Sequence, residues 1–491
     1  MGPNQTEGPR GSSELIVIAN TDDTSALKDF IASQHGQMVP VFPNIKPGQD
    51  APGVTGTHPS RFYIVWEVPQ GKLEELANKL RSHTSVAAAY VKPPARTAGG
   101  LPAGMIGAGV KPIADFGGDQ GYLDDNANGI NARLAWGKAN GRGAGATIVD
   151  IEFGWNLNHQ DLQLAAPGSP AFLVPGSPGI VASARQIEHG TAVLGILKAK
   201  HDGLGINGIC PDAHVRGSAV GARVDTATAI SNAISYLATA NGPKIILIEL
   251  QREDRSGGGA PGWDDTPGWD DTPTGGGGKF LPIEWWEEDL AAIQMATAAG
   301  ITVVEAAGNG AADLDDPAYD VNPVIGGANL FSGAWRNPLN PANPQSGAII
   351  VGAGAPLPNY QGHRWNGATR HNWAHPHPRA TRSRLGFSNF GKRVDVQGWG
   401  SGVYTCGYGE LVGGGVANHD RWYTAWFNGT SSAAAIVAGA VACYQAHWHV
   451  RGPAKDPTAT RNEFKAKCTA QTLGPFNGNI GGLPQLSDLT S

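Results

Sequence analysis

No stretch of the chain approaches the 18 or more consecutive apolar residues of a membrane-spanning helix, so the sequence predicts no span. Charged side chains are also scarce, at 16% of 491 residues. The net charge of −6 gives no reason to expect nucleic acid or an anionic membrane as a partner. The hydrophobic fraction of 41% is nevertheless ample for a buried core, and the length fits two or three domains.

Cysteine is rare, since the chain has only Cys210, Cys406, Cys443 and Cys468. A Cys443–Cys468 bridge would suit an exported protein, and buried thiols are the alternative. The first 13 residues are polar and show no apolar core of a secretory signal. We expect a secreted protein all the same, with cytoplasmic storage or non-classical export left open.

The segment from 13 to 95 predicts a small α+β domain in the order βαββαβ. Apolar, β-rich runs at 14–19 and 62–68 indicate strands, while apolar residues at helical spacing in 24–35 and 73–80 indicate helices. This order matches the ferredoxin-like, split-βαβ unit.

The remainder of the chain predicts a linker and one larger domain. Residues 96–120 are rich in Gly, Ala and Pro without periodicity, which is typical of a linker. From 121 to 491 strands alternate with helices, which favours a mainly parallel sheet covered by helices. Within it, 260–278 repeats a Pro-Gly-Trp-Asp-Asp-Thr hexapeptide, which predicts a low-complexity surface insertion. Docking through its tryptophans is the alternative.

Four short motifs carry the chemistry of the chain. They are Ile-Val-Asp ending at Asp150, His-Gly-Thr starting at His189, Ala-Ala-Gly-Asn ending at Asn309, and Asn-Gly-Thr-Ser-Ser-Ala around Ser431. Together they supply an orienting carboxylate, an imidazole base at the start of an apolar helix, an amide donor and a hydroxyl nucleophile. These are the groups that acyl transfer needs. Ser432 is the rival nucleophile.

The four motifs, in the chain order Asp, His, Ser, resemble those of the subtilisin-type serine proteases, the subtilase family. The resemblance implies a three-layer α/β fold and a serine endopeptidase. In it Ser431 attacks the peptide carbonyl, His189 carries the proton and Asp150 orients His189. Asn309 and the Ser431 N–H would hold the oxyanion. One departure stands beside Asp150, because Glu152 occupies a position where the family usually has glycine.

The resemblance also implies how the protein is made and what it binds. The domain over 13–95 resembles a subtilase propeptide, which assists folding and inhibits the enzyme until a cut, expected here within 96–120. Protein or peptide substrates would pair as an added strand with an edge of the enzyme. The residues implied in substrate binding are Glu249, Leu250, Gln251, Ala307 and Gly308. Gln251 and Arg252 replace family glycines, so we expect a narrowed cleft and a selective endopeptidase.

Several alternatives stay open at this stage. The N-terminal unit could be a permanent regulatory domain, and the whole chain a retired subtilase scaffold that binds proteins, or a peptide ligase or cyclase. We expect a monomer that needs no cofactor for catalysis. Structural calcium at the acidic residues after the oxyanion amide and zinc at a histidine-rich stretch are weaker hypotheses. The residues concerned are Asp313, Asp315, Asp316 and Asp320 for calcium, and His371, His375 and His377 for zinc.

Overall fold

A computed structural model describes most of the chain, with gaps at both the N-terminus and several internal segments. The residues described are 12–99, 110–124, 128–162, 164, 172–180, 182–221, 223–254, 280–325, 327–357 and 380–491. The low-complexity insertion predicted at 260–278 and the three histidines of the zinc hypothesis lie outside these residues.

The N-terminal elements follow the predicted order. They are β1 (Glu14–Ala19), α1 (Ser25–Ser33), β2 (Gln37–Pro40), β3 (Phe62–Trp66), α2 (Leu73–Arg81), β4 (Val86–Lys92) and β5 (Arg96–Thr97). Strands β1 to β4 form an antiparallel sheet in the order β2-β3-β1-β4, which is the ferredoxin-like arrangement.

The larger part of the chain alternates helices and strands. Its elements are α3 (Ala132–Ala135), β6 (Thr147–Glu152), α4 (Ala184–Lys198), β7 (His214–Ala219), α5 (Thr226–Ala238), β8 (Lys244–Ile248), β9 (Leu250–Glu253), β10 (Phe280–Pro282), α6 (Glu287–Ala298), β11 (Thr302–Ala306), β12 (Val324–Ile325), β13 (Ala328–Asn329), β14 (Ile349–Gly354), β15 (Val396–Trp399), β16 (Val403–Cys406), β17 (Tyr423–Phe427), α7 (Thr430–His449), α8 (Pro457–Ala466), β18 (Cys468–Thr469), β19 (Leu483–Pro484) and α9 (Leu486–Leu489).

A six-stranded parallel sheet in the order β15-β14-β11-β8-β6-β7 forms the middle layer. Successive residues of its strands face opposite layers, as strand geometry requires. In β8, Ile245 and Leu247 belong to the apolar cluster that contains α4 and α7, and Ile246 and Ile248 to the cluster that contains α5 and α6. The chain therefore has the predicted three-layer α/β fold.

The N-terminal sheet is buried on both faces, which explains why β1 is apolar from Leu15 to Ala19 instead of alternating. Leu15 and Val17 face α1 and α2. Ile16 and Ile18 share a cluster with residues of α5 and α6, so the second face of this sheet packs on the larger domain. The small domain is thus docked on the outer layer that these two helices form.

The structure also bears on cysteine pairing and on membrane-spanning helices. All four cysteines are described and each is a free thiol, so the bridge considered between Cys443 and Cys468 is not formed. Among the described residues, no helix combines the length and the apolar character that crossing a membrane would require.

A buried charge cluster joins the two domains. Lys92 Nζ lies 2.5 Å from Glu288 and 3.3 Å from Glu14, Asp225 and Asp289. Arg252 adds a second cation, 3.2 Å from Glu14. Burial and Arg252 lower the pKa of Lys92, but the carboxylates outweigh them and hold that pKa above its ordinary value. The ammonium group therefore stays charged.

We predict that Lys92→Met destabilises the docked state by about 3–5 kcal/mol, because it leaves buried carboxylates without their main counter-ion. Chemical denaturation of the two proteins measures the difference. Lys72→Met is the matched control, since Lys72 has an exposed side chain and pairs with Glu75 at the surface. Equal stability of Lys92→Met and the unmutated chain would contradict a structural role for the cluster.

Candidate active site

Three buried carboxyl groups lie at the carboxyl ends of two neighbouring parallel strands. Asp150 and Glu152 lie on β6, two residues apart and hence on one face, and Glu249 follows β8 directly. Each of the three side chains is fully buried. A buried carboxylate is costly without partners, so this concentration of acidic groups marks the edge of the sheet as a functional site.

The carboxyl group that meets His189 belongs to Glu152. Glu152 Oε1 forms a very short hydrogen bond with His189 Nδ1, whereas Asp150 Oδ2 accepts the indole N–H of Trp155 at 2.8 Å. The structure thus differs from the expected pairing of Asp150 with His189. The reason is geometric: both residues share a face of β6, and the longer side chain nearer the strand end reaches the imidazole. The feature of the sequence that could have predicted this contact is Glu152, at a position where the family usually has glycine.

The motif His-Gly-Thr explains how His189 comes close to β6. Helix α4 begins at Ala184, earlier than expected, so His189 lies inside the helix and not at its start. A Cβ on Gly190 would lie 2.3 Å from the carbonyl oxygen of Gly154, so only glycine permits this close packing. Thr191 Oγ1 accepts the N–H of Asn156 at 2.8 Å and ties the same loop to α4.

Ser431 lies in the first turn of α7, as predicted. Its hydroxyl is 3.5 Å from the carbonyl oxygen of Glu249, at the outer limit of a hydrogen bond. The positive end of the helix dipole stabilises negative charge that develops beside it. Ser432 donates instead to the carbonyl oxygens of Trp399 and Gly429, at 2.9 and 3.0 Å. That structural role separates the two serines and favours Ser431 as the nucleophile.

Asn309 follows β11 and presents a donor next to this turn. Its Oδ1 accepts both the backbone N–H and the hydroxyl of Thr430 at 2.9 Å, which orients the amide. Its Nδ2 is buried and has no hydrogen-bond partner. Thr430 Oγ1 also accepts the N–H of Gly308 at 3.1 Å. A buried, oriented and unpaired amide donor is what stabilisation of a developing oxyanion requires.

The electrostatics favour proton uptake by the three carboxyl groups. Burial raises the pKa of Asp150, Glu152 and Glu249 well above the ordinary range. Glu152 raises the pKa of Asp150 further, and Asp150 and Glu152 together raise that of Glu249. Both carboxyl oxygens of Glu249 are buried and have no hydrogen-bond partner among the described residues. Like charges this close cannot all remain ionised, so the cluster holds protons at pH values where isolated carboxyl groups release them.

A segment of the chain itself lies in the cleft in front of Ser431. Strand β5 pairs antiparallel with β9, with Arg96 opposite Gln251 and Thr97 opposite Leu250. The N–H of Ala98 donates to the carbonyl oxygen of Glu249 at 2.9 Å. The carbonyl oxygen of Ala98 accepts the N–H of Ser431 at 3.0 Å. Residues 96–99, expected to belong to a linker, therefore run as an added strand past Ser431.

The other residues expected to bind substrate line the same strand. Gln251 is fully buried: its Nε2 donates to the carbonyl oxygen of Thr97 at 3.2 Å, and its Oε1 accepts the N–H of Asn309 at 2.7 Å. Ala307 and Gly308 lie opposite, in the backbone that leads to Asn309. Leu250 is buried within the apolar cluster around α5 and α6.

The aspartates of the calcium hypothesis are used in loop hydrogen bonds. Asp315 accepts the N–H of Lys392, Asp316 caps a short 3₁₀ helix, and Asp320 accepts the amides of Asn337 and Asn340. Among the described residues, the carboxylates close enough together to share a metal are Asp225, Glu288 and Asp289. There the ammonium group of Lys92 supplies the positive charge. Calcium binding stays a prediction.

Comparison with known proteins identifies the family of the chain. The sequence model of the subtilase family matches residues 182–466, more than half of the chain. The chain belongs to the subtilase family, and that membership makes it a serine protease. No curated protein matches it in sequence.

Solved structures of similar fold include fervidolysin from Fervidobacterium pennivorans, a keratinolytic enzyme related to subtilisin. It has 16% identity and a TM-score of 0.51, over 100% of this chain and 62% of that one. A protease from Pseudoalteromonas arctica matches at 18% identity and TM-score 0.45, over 77% of this chain and 98% of that one. A cold-adapted subtilisin-like serine proteinase matches at 20% and 0.41, over 70% and 89%. At these identities the likeness concerns the fold.

We predict that Glu249→Gln flattens the pH dependence of stability, tested in a Ser431→Ala background so that cleavage does not interfere. Above the ordinary value of 4.5, the unfolded chain releases a proton that folded Glu249 retains. The free energy of unfolding of the parent therefore falls as the pH rises towards the raised folded pKa. Thermal denaturation between pH 4 and pH 8, as roughly the relevant window, measures the slope. Glu67→Gln, at an exposed site, is the control, and an unchanged slope in Glu249→Gln would contradict the buried carboxyl cluster.

Proposed function

We propose that the protein is a serine endopeptidase, made as a zymogen, that cleaves protein or peptide substrates through an acyl-enzyme. The observation that carries the proposal is the path of Ala98, whose carbonyl oxygen accepts the N–H of Ser431 at 3.0 Å. A peptide held in this way has its carbonyl carbon in front of the nucleophile. The same N–H is the donor that an oxyanion would use.

The proposed reaction follows from the groups around that carbonyl. Ser431 Oγ attacks the carbonyl carbon while His189 accepts the hydroxyl proton, and Glu152 stabilises the imidazolium through Nδ1. The Ser431 N–H and Asn309 Nδ2 hold the oxyanion of the tetrahedral intermediate. His189 then protonates the leaving amine, which departs and leaves an acyl-enzyme. Water, activated by the same base, attacks the ester, and release of the acid regenerates Ser431.

In this proposal Asp150 is a second carboxyl group that is not part of the Glu152–His189 pair. Its Oδ1 is buried and has no hydrogen-bond partner, and its Oδ2 is occupied by Trp155. It acts on His189 indirectly, by holding Trp155 in the loop that packs against Gly190, next to the imidazole. Asp150 is therefore a positioning residue rather than the direct partner of the imidazole.

The zymogen part of the proposal places the maturation cut between Ala98 and Gly99. The N-terminal sheet and the charge cluster around Lys92 anchor the preceding domain on the enzyme. The segment that leaves this domain then fills the cleft as a bound strand. Until it is cut and released, it blocks access of other substrates. In this proposal the N-terminal domain is the inhibitor, and the segment that follows it is the first peptide that the enzyme cuts.

A retired scaffold that binds proteins is the second candidate, and a ligase or cyclase the third. The unpaired donor of Asn309 and the paired imidazole of His189 favour catalysis over binding alone. A ligase would use the same acyl-enzyme, with an amine instead of water as acceptor. The masses of the products distinguish these outcomes.

We expect the purified chain to react with a fluorophosphonate probe and to lose its first 98 residues, with a new N-terminus at Gly99. Ser431→Ala should remain full-length and unlabelled, because the nucleophile is absent, with residual catalysis of only about 10³–10⁴ over water. Intact mass spectrometry of both proteins measures labelling and cleavage together. Ser432→Ala serves as the control and should still be labelled. A Ser431→Ala protein that matures at the same rate would overturn the assignment.

We also predict that Glu152→Gln lowers kcat by about 10⁴-fold, because a neutral amide cannot stabilise the imidazolium and favours the wrong tautomer. Asp150→Asn should cost much less, since asparagine Oδ1 can still accept the indole N–H of Trp155. Steady-state kinetics of the two isosteric variants compare them directly. If Asp150→Asn were the more damaging change, Asp150 and not Glu152 would be the orienting carboxylate.

A further inference from the structure

We propose that the Gln251 side chain closes the pocket for the substrate residue on the N-terminal side of the cut bond, so that the enzyme cleaves after small residues such as alanine. This inference rests on the proposed endopeptidase function and names its substrate class. It concerns a position where the resemblance predicted a glycine.

The bound segment defines where that substrate residue lies. Ala98 donates its N–H to Glu249, and its carbonyl oxygen accepts the N–H of Ser431, so Ala98 occupies the position before the proposed cut. Its side chain is buried in the apolar cluster that also contains Ala306, the last residue of β11. The Gln251 side chain connects the backbone segments 249–251 and 307–309, which we call the two walls of this site. Ala98 is fully buried there. In the structure this space holds only the methyl group of Ala98.

The Gln251 amide spans the gap between the two walls. Its Oε1 accepts the N–H of Asn309 on one wall, at 2.7 Å, while the backbone of Gln251 belongs to the other. A Cβ built on Gly308 would lie 3.5 Å from this Oε1, so the amide is already in contact range of the opposite wall. Its Nε2 donates to the carbonyl oxygen of Thr97, the residue before Ala98. The amide therefore takes up the space into which a longer side chain would extend.

The opposite wall is held in place and cannot move aside easily. Asn389 Nδ2 donates to the carbonyl oxygens of Phe280 and Ala307, both at 2.6 Å. The same group would lie 2.8 Å from a Cβ on Gly308. A large side chain would therefore have to displace the Gln251 amide, and would leave the buried N–H of Asn309 unpaired. Leaving a buried polar group unsatisfied is penalised strongly.

The position after the cut shows the same restriction. A Cβ on Gly99 would lie 2.2 Å from the carbonyl oxygen of Asn428. Gly99 pairs there with Gly429, on which a Cβ would lie 2.2 Å from the carbonyl oxygen of Ala98. The segment thus meets the enzyme through two small residues, Ala98 and Gly99, and substrates with small residues at both positions fit the same path.

The test uses the matured enzyme and the peptides acetyl-Ala-Arg-Thr-X-p-nitroanilide, which copy residues 95–97 and vary X between Ala, Leu and Phe. For the unmutated enzyme we expect kcat/KM to fall by about 100-fold or more from Ala to Phe, because the buried amide must be displaced. Gln251→Gly should raise kcat/KM for Phe relative to Ala by at least about tenfold. Gln251→Met is the size-matched control: it fills the same space without the hydrogen bond to Asn309, so its preference for Ala should lie between those of the unmutated enzyme and Gln251→Gly.

The outcomes separate the two proposals. Equal kcat/KM for Ala and Phe in the unmutated enzyme, or the same preference in Gln251→Gly, would overturn the inference about Gln251. In both cases labelling of Ser431 by the fluorophosphonate would still support the peptidase. Failure of the unmutated enzyme to be labelled or to hydrolyse any of the three peptides would overturn the proposed function itself, and the inference with it.

Discussion

The close packing of α4 on the loop after β6 is the constraint on which the site depends. The helix can approach only because residue 190 is a glycine, whose missing Cβ leaves room for the carbonyl oxygen of Gly154. This approach brings the imidazole of His189 to the carboxyl end of β6. Helix α7 lies in the same layer, and the hydroxyl of Ser431 in its first turn lies 3.5 Å from the carbonyl oxygen of Glu249, the residue after β8.

Packing of this kind removes water and concentrates charge. Three carboxyl groups and an imidazole share a buried volume in which electrostatic interactions are strong and unpaired groups are costly. A chain with glycine at 152 would carry one acid fewer at this edge. Here Glu152 raises the pKa of Asp150, both raise that of Glu249, and Glu152 is also the partner of His189. The departures from the family pattern are therefore concentrated where the chemistry takes place.

The cleft in front of Ser431 is shaped by the strand that occupies it. Main-chain hydrogen bonds from β9 hold residues 96–98 and determine which carbonyl group faces the nucleophile. The side chain of Gln251 then limits what can stand at that position. Backbone pairing sets the position of the bound segment and one buried amide sets the size of its side chain, so binding and selectivity have separate physical origins.

Much of this could be read from the sequence, because it depends on local pattern and on chemistry. The split-βαβ order of the N-terminal domain and the parallel sheet follow from periodicity. The motifs around His189, Asn309 and Ser431 follow from residue type and from their resemblance to the subtilase family. Only the tertiary structure decided which carboxyl group faces His189, since Asp150 and Glu152 share a face of β6 and differ by one methylene and two residues along the strand. It alone placed residues 96–99 in the cleft and the Gln251 amide across it. Contacts between residues more than fifty positions apart depend on how the elements pack, and no local pattern encodes that packing.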